Sequence, residues 1–190
     1  GNTMLRLEDV TFDVSFEPYG TYDIQPCSKY VYDFVVDVIM SAEAKSSDIV
    51  RGVDMLITRP CKTPILGACR VFLYNYIKAI NEYCKAHFEK YTIPEHLDVP
   101  EGTMDEDGEE KKEPLRYPLY TYEEYLVRDY TGYNFKEIQE LDILTYKFYA
   151  AEAYKVAVLK RVDGTGTAYL NECYDYMKEM QNFDINDLLD

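Results

Sequence analysis

Residues 63–88 read TPILGACRVFLYNYIKAINEYCKAHF, and their spacing decides the fold class. Leu66, Cys69, Phe72, Leu73, Tyr76, Ile77, Ile80, Tyr83, Cys84, His87 and Phe88 recur every three or four positions without a break, the period of one helical face. Thr63 reads as a cap followed by Pro64 at the first helical position, where its missing N–H costs nothing. The spacing therefore predicts a helix from Thr63 to Tyr91, roughly 40 Å long at 1.5 Å per residue.

Moving toward the N-terminus, Ile49, Val50, Val53, Leu56 and Ile57 form a shorter stripe that begins at Ser47 or Asp48 and ends at Arg59-Pro60. Before it, Val31, Phe34, Val35, Val38 and Ile39 fall at helical spacing behind Ser28, a plausible N-cap, and run to about Glu43. The period then changes. Val10, Phe12, Val14 and Phe16 alternate with Thr11, Asp13 and Ser15, the pattern of a half-buried strand, and Glu17-Pro18-Tyr19-Gly20 reads as a turn. A strand needs a partner, so it is expected to fold back on Met4 to Leu7 or on Thr21 to Ile24, the alternative being the edge of another chain.

Toward the C-terminus, residues 92–117 hold nine acids against Lys111, Lys112 and Arg116, with Pro94, Pro100 and Pro114, and are expected to form a flexible acidic loop. Asp105-Glu106-Asp107-Gly108 does not make a calcium loop, since aligning Gly108 to the sixth position puts Pro114 where a bidentate Glu is required. Thr121 and Glu124 form a capping box for a short helix reaching toward Gly132. Asn134 caps a second segment through Ile138 and Leu141. Asp142 caps a third, whose stripe of Ile143, Tyr146, Tyr149, Ala150, Ala153, Tyr154, Ala157 and Val158 extends to Arg161. After a stop at Gly164, a last helix is expected near Thr167, with Leu170, Cys173, Tyr174 and Met177. The resulting expectation is one mainly α domain over 1–190, a helical bundle. It has a small N-terminal β element (1–25), helices over 28–91 and 121–181, and a core in which the 63–91 helix packs on the 142–161 helix.

Composition limits what such a bundle does. At 190 residues and 22.2 kDa with 47% hydrophobic residues the chain fills a core, while a net charge of −15 repels phosphate backbones and anionic lipid. Neither nucleic acid nor a membrane is an expected partner, because the most apolar run, Phe34 to Met40, is short and broken by Asp37. Five cysteines without a C-x-x-C fit a reducing cytoplasm. His87 and His96 are the only imidazoles and lack zinc or di-iron spacing, so no metal or cofactor is expected. Gly164-Thr165-Gly166 has Tyr169 at the third glycine position, and Cys84 with His87 share an apolar stripe where a thiol is inert. Glu123, Glu124, Asp142 and Glu152 read as caps or solvated faces, and no catalytic residue is assigned. The 20 tyrosines, rings with a wettable tip, point instead to contact with a protein partner or self-association, with Tyr146, Tyr149, Tyr154, Tyr169 and Tyr174 as candidate contact residues.

Two passages carry a resemblance. Gly132-Tyr133-Asn134-Phe135-Lys136-Glu137-Ile138-Gln139-Glu140-Leu141-Asp142, followed by Tyr146 and Phe148, resembles a passage of the small helical tail-assembly chaperones of long-tailed bacteriophages. Glu152-Ala153-Tyr154 with Gly166-Thr167-Ala168-Tyr169-Leu170-Asn171-Glu172-Cys173-Tyr174 is similar to a pattern in short phage and prophage proteins, with Tyr174 where that pattern has Trp. The resemblance implies a non-enzymatic protein that coats or delivers the tape-measure chain through helical apolar surface. Alternative expectations are an exported or cell-surface interaction module of a gut bacterium, considered because the first residue is Gly1 rather than Met, and an enzyme built from scattered carboxylates and tyrosines.

Overall fold

The computed structural model describes residues 6–91, 96–97, 102, 104, 107–110, 115–116 and 119–162. They fall into two compact units, one formed by 6–88 with 139–148 and the other by the described parts of 89–138 with 149–162. The chain is mainly helical with a small two-stranded hairpin near the N-terminus.

In the first unit, strands β1 (Phe12–Phe16) and β2 (Gly20–Ile24) pair antiparallel in the register Phe12 with Ile24, Val14 with Tyr22 and Phe16 with Gly20. Alternation explains the burial: Phe12, Val14 and Phe16 are interior while Asp13 and Ser15 face water. The turn closes with the Tyr19 N–H on the Phe16 carbonyl at 2.7 Å, and Gly20 leaves it at φ +117°, a conformation an L side chain resists.

Three helices follow: α1 (Lys29–Met40), α2 (Ser46–Leu56) and α3 (Leu66–His87). Ser28 is the N-cap of α1 by position, but its side chain makes no capping bond; the Lys29 N–H reaches the Leu141 carbonyl at 2.8 Å instead. Helix α3 is shorter at both ends than its sequence suggested. Ile65, not Thr63, precedes it in extended geometry (φ −84°, ψ 105°), and Phe88 leaves it extended (φ −114°, ψ 154°) before Tyr91 is reached. Cys69, Phe72, Leu73, Tyr76, Ile77 and Ile80 make its buried face. The Phe72 ring stacks on Phe16 at 4.5 Å, and Phe12 meets Tyr76 and Tyr83 edge-on at 6.3 and 5.9 Å. At Gly52 of α2 the three helices approach closely, since a Cβ there would lie 3.1 Å from Leu73 of α3 and 3.7 Å from Val35 of α1.

The expected pairing of this helix with the one over 142–161 is therefore not what fills its interior face; β1, α2 and α1 do that. Periodicity fixes which face is buried but not what buries it. Segment 139–148 returns to the unit elsewhere. It is stitched to the start of α1 by a bridge between Ser28 and Asp142 and by the Ile143 N–H on the Cys27 carbonyl at 2.7 Å. It inserts Gln139, Ile143, Leu144 and Tyr146, all buried, and brings Phe148 within 5.8 Å of Phe88.

The second unit contains α4 (Leu119–Thr131), most of α5 (Phe135–Glu140) and the larger part of α6 (Ile143–Val162). Helix α4 starts two residues before Thr121, so the expected T-x-x-E box lies inside the helix and Glu124 is buried rather than capping. Gly132 ends α4 at φ +76° with its N–H on the Arg128 carbonyl. Asn134 and Glu137 do form a reciprocal box at 3.1 and 2.8 Å, and in the first unit Asp142 caps α6 by accepting from the Thr145 N–H at 2.9 Å. Within 92–117, read from sequence as loop, β3 (His96–Leu97) pairs antiparallel with β4 (Leu115–Arg116), because a solvated acidic composition does not forbid backbone pairing. Residues 163–190, including the expected last helix, lie outside the described residues.

Candidate functional site

Helix α3 has two faces of different chemistry. Its spine is sealed, with Phe72, Leu73, Tyr76 and Ile80 fully buried, while Val71 and Tyr74 on the opposite side are 58% and 57% exposed. Gly67, Val71, Tyr74, Lys78, Glu82 and Lys85 follow one another at helical spacing along this outer ridge, all exposed. Ile65 and Leu66 at its start are also exposed large apolar residues, and a Cβ on Gly67 would meet nothing within 4 Å. The ridge thus begins apolar and ends charged, with Glu82 set between Lys78 and Lys85. An outer flank is fixed by Arg70, whose guanidinium donates to the Ile39 and Ser41 carbonyls at 3.1 and 2.9 Å and ties α3 to the end of α1.

Sequence reasoning passed over a second, interior feature. Lys29, in the first turn of α1, has no exposed surface; its ammonium bonds the Asp33 carboxylate one turn on and lies 4.8 Å from the centroid of the Tyr146 ring. Lys147 covers the Tyr32 ring at 5.5 Å, and the Tyr32 hydroxyl donates to Asn81 at 2.8 Å. Asp37, further along α1, is exposed; the partial desolvation of its carboxyl, helped by the Asp33 charge and opposed by Lys29, raises it above its usual range. Close by, the Tyr76 hydroxyl accepts from the Cys27 N–H at 2.8 Å and donates to the Gln25 carbonyl at 2.7 Å. Burial is the main cause that pushes the Cys27 thiol up to about 12 and raises Tyr76 as well. A sealed amine and a protonated thiol hold structure rather than meet a substrate. The only local signal for the pair was the i, i+4 spacing of Lys29 and Asp33.

The five candidate tyrosines do not form one surface among the described residues. Tyr146 is 1% exposed, spent on covering Lys29, and so is corrected from a contact residue to an interior one. Tyr149 and Tyr154 are half-buried in the second unit, Tyr149 against Tyr130 and Tyr133 at 6.3 and 6.2 Å and Tyr154 against Tyr91 at 5.9 Å. Tyr169 and Tyr174 lie outside the described residues. Among the carboxylates Glu123 departs from expectation, being buried and accepting from the Tyr91 hydroxyl at 2.5 Å, while Glu152 stays partly exposed and shares Lys155 with Glu89, both at 3.1 Å.

Cys84 is half-buried and His87 is exposed, its ring 4.3 Å from that of Tyr83, so the two do not share an apolar interior. Residues 54–62 enclose an open hollow of about 570 Å³ beside the Arg59–Asp54 ion pair, and exposed Cys61 lies on its rim. Among the described residues no group of three or more His, Cys, Asp or Glu is placed to hold a metal, and no helix is long and apolar enough to cross a membrane. Comparisons with protein-family models, with characterised proteins and with solved structures return no match for this chain.

Proposed function

We propose that the chain is a non-enzymatic protein-binding and assembly factor that docks through the outer ridge of α3. The observation that carries this reading is the row of Leu66, Val71 and Tyr74, with Ile65 beside it, exposed on a helix whose other face is sealed. Apolar surface held in water is recovered on docking at about 25 cal/mol per Å², and an exposed aromatic flanked by cations is the composition that binding surfaces favour. The net charge of −15 supports the same role, since it keeps an unassembled protein apart from its neighbours.

In its specific form the proposal is a tail-assembly chaperone in a bacterial cytoplasm. Its support is the 132–142 passage, whose Asn134–Glu137 box opens α5. Photo-crosslinking residues placed at Val71 and Tyr74 in the native cell test the reading, with Ser47 of α2 as an exposed control. A discrete crosslinked protein from the two ridge positions and not from the control is expected, and a phage tail component would carry the specific form. Equal, diffuse labelling at all three positions refutes docking through α3.

A further inference from the structure

Two stretches of the first unit carry opposite net charge. Along 59–88 there are five cations (Arg59, Lys62, Arg70, Lys78, Lys85) against Glu82, a balance of +4 inside a chain of −15. Along 6–24 Arg6 stands against Glu8, Asp9, Asp13, Glu17 and Asp23, a balance of −4. The hairpin register sets Asp13 directly opposite Asp23, both exposed on the face turned away from the buried Phe12, Val14 and Phe16. Like charges directly opposed across two strands destabilise the pair. Neither carboxylate meets a cation among the described residues, so the hairpin holds an uncompensated acidic edge ready for a cationic surface.

We propose, building on the protein-binding reading of α3, that a second copy of the chain occupies the ridge, its hairpin setting Asp13 and Asp23 against Lys78 and Lys85 and covering Val71 and Tyr74. Lys78 and Lys85 stand seven residues apart, roughly 10 Å along the helix, while an opposed strand pair spans about 5 Å between Cα atoms; the contact therefore needs the flexible lysine stems to lean inward over Glu82 to reach both carboxylates. The inner face of the hairpin packs on the buried face of α3, so the two poles of one copy point apart and the contact is head-to-tail, propagating rather than closing on a two-fold axis. Net charge sets the strength. At low salt the −15 charges repel at long range; near 0.1 M, where the Debye length is about 10 Å, that repulsion is screened while ion pairs in contact persist. Near 1 M, where it is about 3 Å, the pairs weaken too. Association that peaks at intermediate salt is the signature, whereas purely apolar sticking grows steadily with salt.

Sedimentation velocity of the full chain from micromolar to millimolar concentration tests this, with two charge-reversed variants. Lys78→Glu/Lys85→Glu makes both poles acidic and Asp13→Lys/Asp23→Lys makes both basic. Each alone is expected to associate at least about tenfold more weakly than the parent, and an equimolar mixture to recover association, because each variant then presents the pole the other needs. Matching circular dichroism establishes folding, and Asp13→Asn/Asp23→Asn, which removes the acidic pole without reversing it, serves where the lysine pair does not fold. A parent that stays monomeric, reversals without effect, or a mixture no more associated than its components overturns the second-copy contact. If the chain is monomeric yet Tyr74 crosslinks a different protein, this inference falls and the protein-binding reading stands; if Tyr74 crosslinks nothing, both fall.

Discussion

Phe72→Ala removes the side chain on which the first unit turns. The ring has no exposed surface, stacks on Phe16 at 4.5 Å with the planes 22° apart, and meets Tyr22 edge-on at 6.4 Å. Truncating a buried Phe costs about 3–5 kcal/mol, of which the aromatic pairing supplies roughly 0.5–1.5. A two-stranded hairpin is marginal without a surface to pack on, so the loss is expected to loosen β1 and β2 before the helices. For a domain with 5–15 kcal/mol in hand this is a large fraction, and at about 2–4 °C per kcal/mol in a chain of this length it lowers Tm by roughly 10 °C. Urea unfolding followed by near-ultraviolet circular dichroism measures it, with Val71→Ala on the outer ridge expected to stay within about 0.5 kcal/mol of the parent. The reasoning is refuted if Phe72→Ala unfolds with the parent, or if Val71→Ala costs as much.

Three further outcomes concern the same unit. Lys29→Met strands the Asp33 carboxylate and is expected to cost about 3–5 kcal/mol, whereas Lys29→Met/Asp33→Leu restores most of the loss, which chemical denaturation of the three variants resolves. Asp37 has a folded value raised above the usual 3.8, so the native state holds its proton more tightly than the unfolded chain and stability falls as pH climbs through the window above 3.8. Asp37→Asn is therefore expected to raise Tm at pH 7, a gain that thermal melts should find vanishing as pH drops below 3.8. In the native protein a thiol reagent is expected to label exposed Cys61 at once, and Cys27, with its thiol near 12, only on unfolding, as mass spectrometry of the labelled peptides reads directly.

Local patterns with a single physical reading were legible in the sequence. The alternation of Val10 to Phe16 gave a hairpin strand, the stripe from Cys69 to Ile80 gave the buried face of α3, and Asn134 and Asp142 cap the helices they precede. Thr121 misled because a capping box and an ordinary helix interior share the same letters, and Thr63-Pro64 because Ile65 is still extended and the helix begins only at Leu66. Partners were not legible at all. Nothing in the periodicity of α3 distinguishes packing on β1 and α2 from packing on α6, and nothing about Tyr146 announces that its ring lies over a buried lysine. Lys29 reads as a solvated first-turn residue until segment 139–148 is seen to close over it. The outer ridge, by contrast, is the complement of the buried stripe: once Phe72 and Tyr76 are interior, Val71, Tyr74 and Lys78 must face out.

That two-faced helix is the centre of the account, and hydroxyl-radical footprinting of the unmodified chain examines it residue by residue. Val71 and Tyr74 are expected to oxidise rapidly in dilute protein and to become protected as concentration rises, while Phe72, Leu73 and Tyr76 stay protected throughout. Equal oxidation of Tyr74 and Tyr76 in the dilute native protein would contradict it.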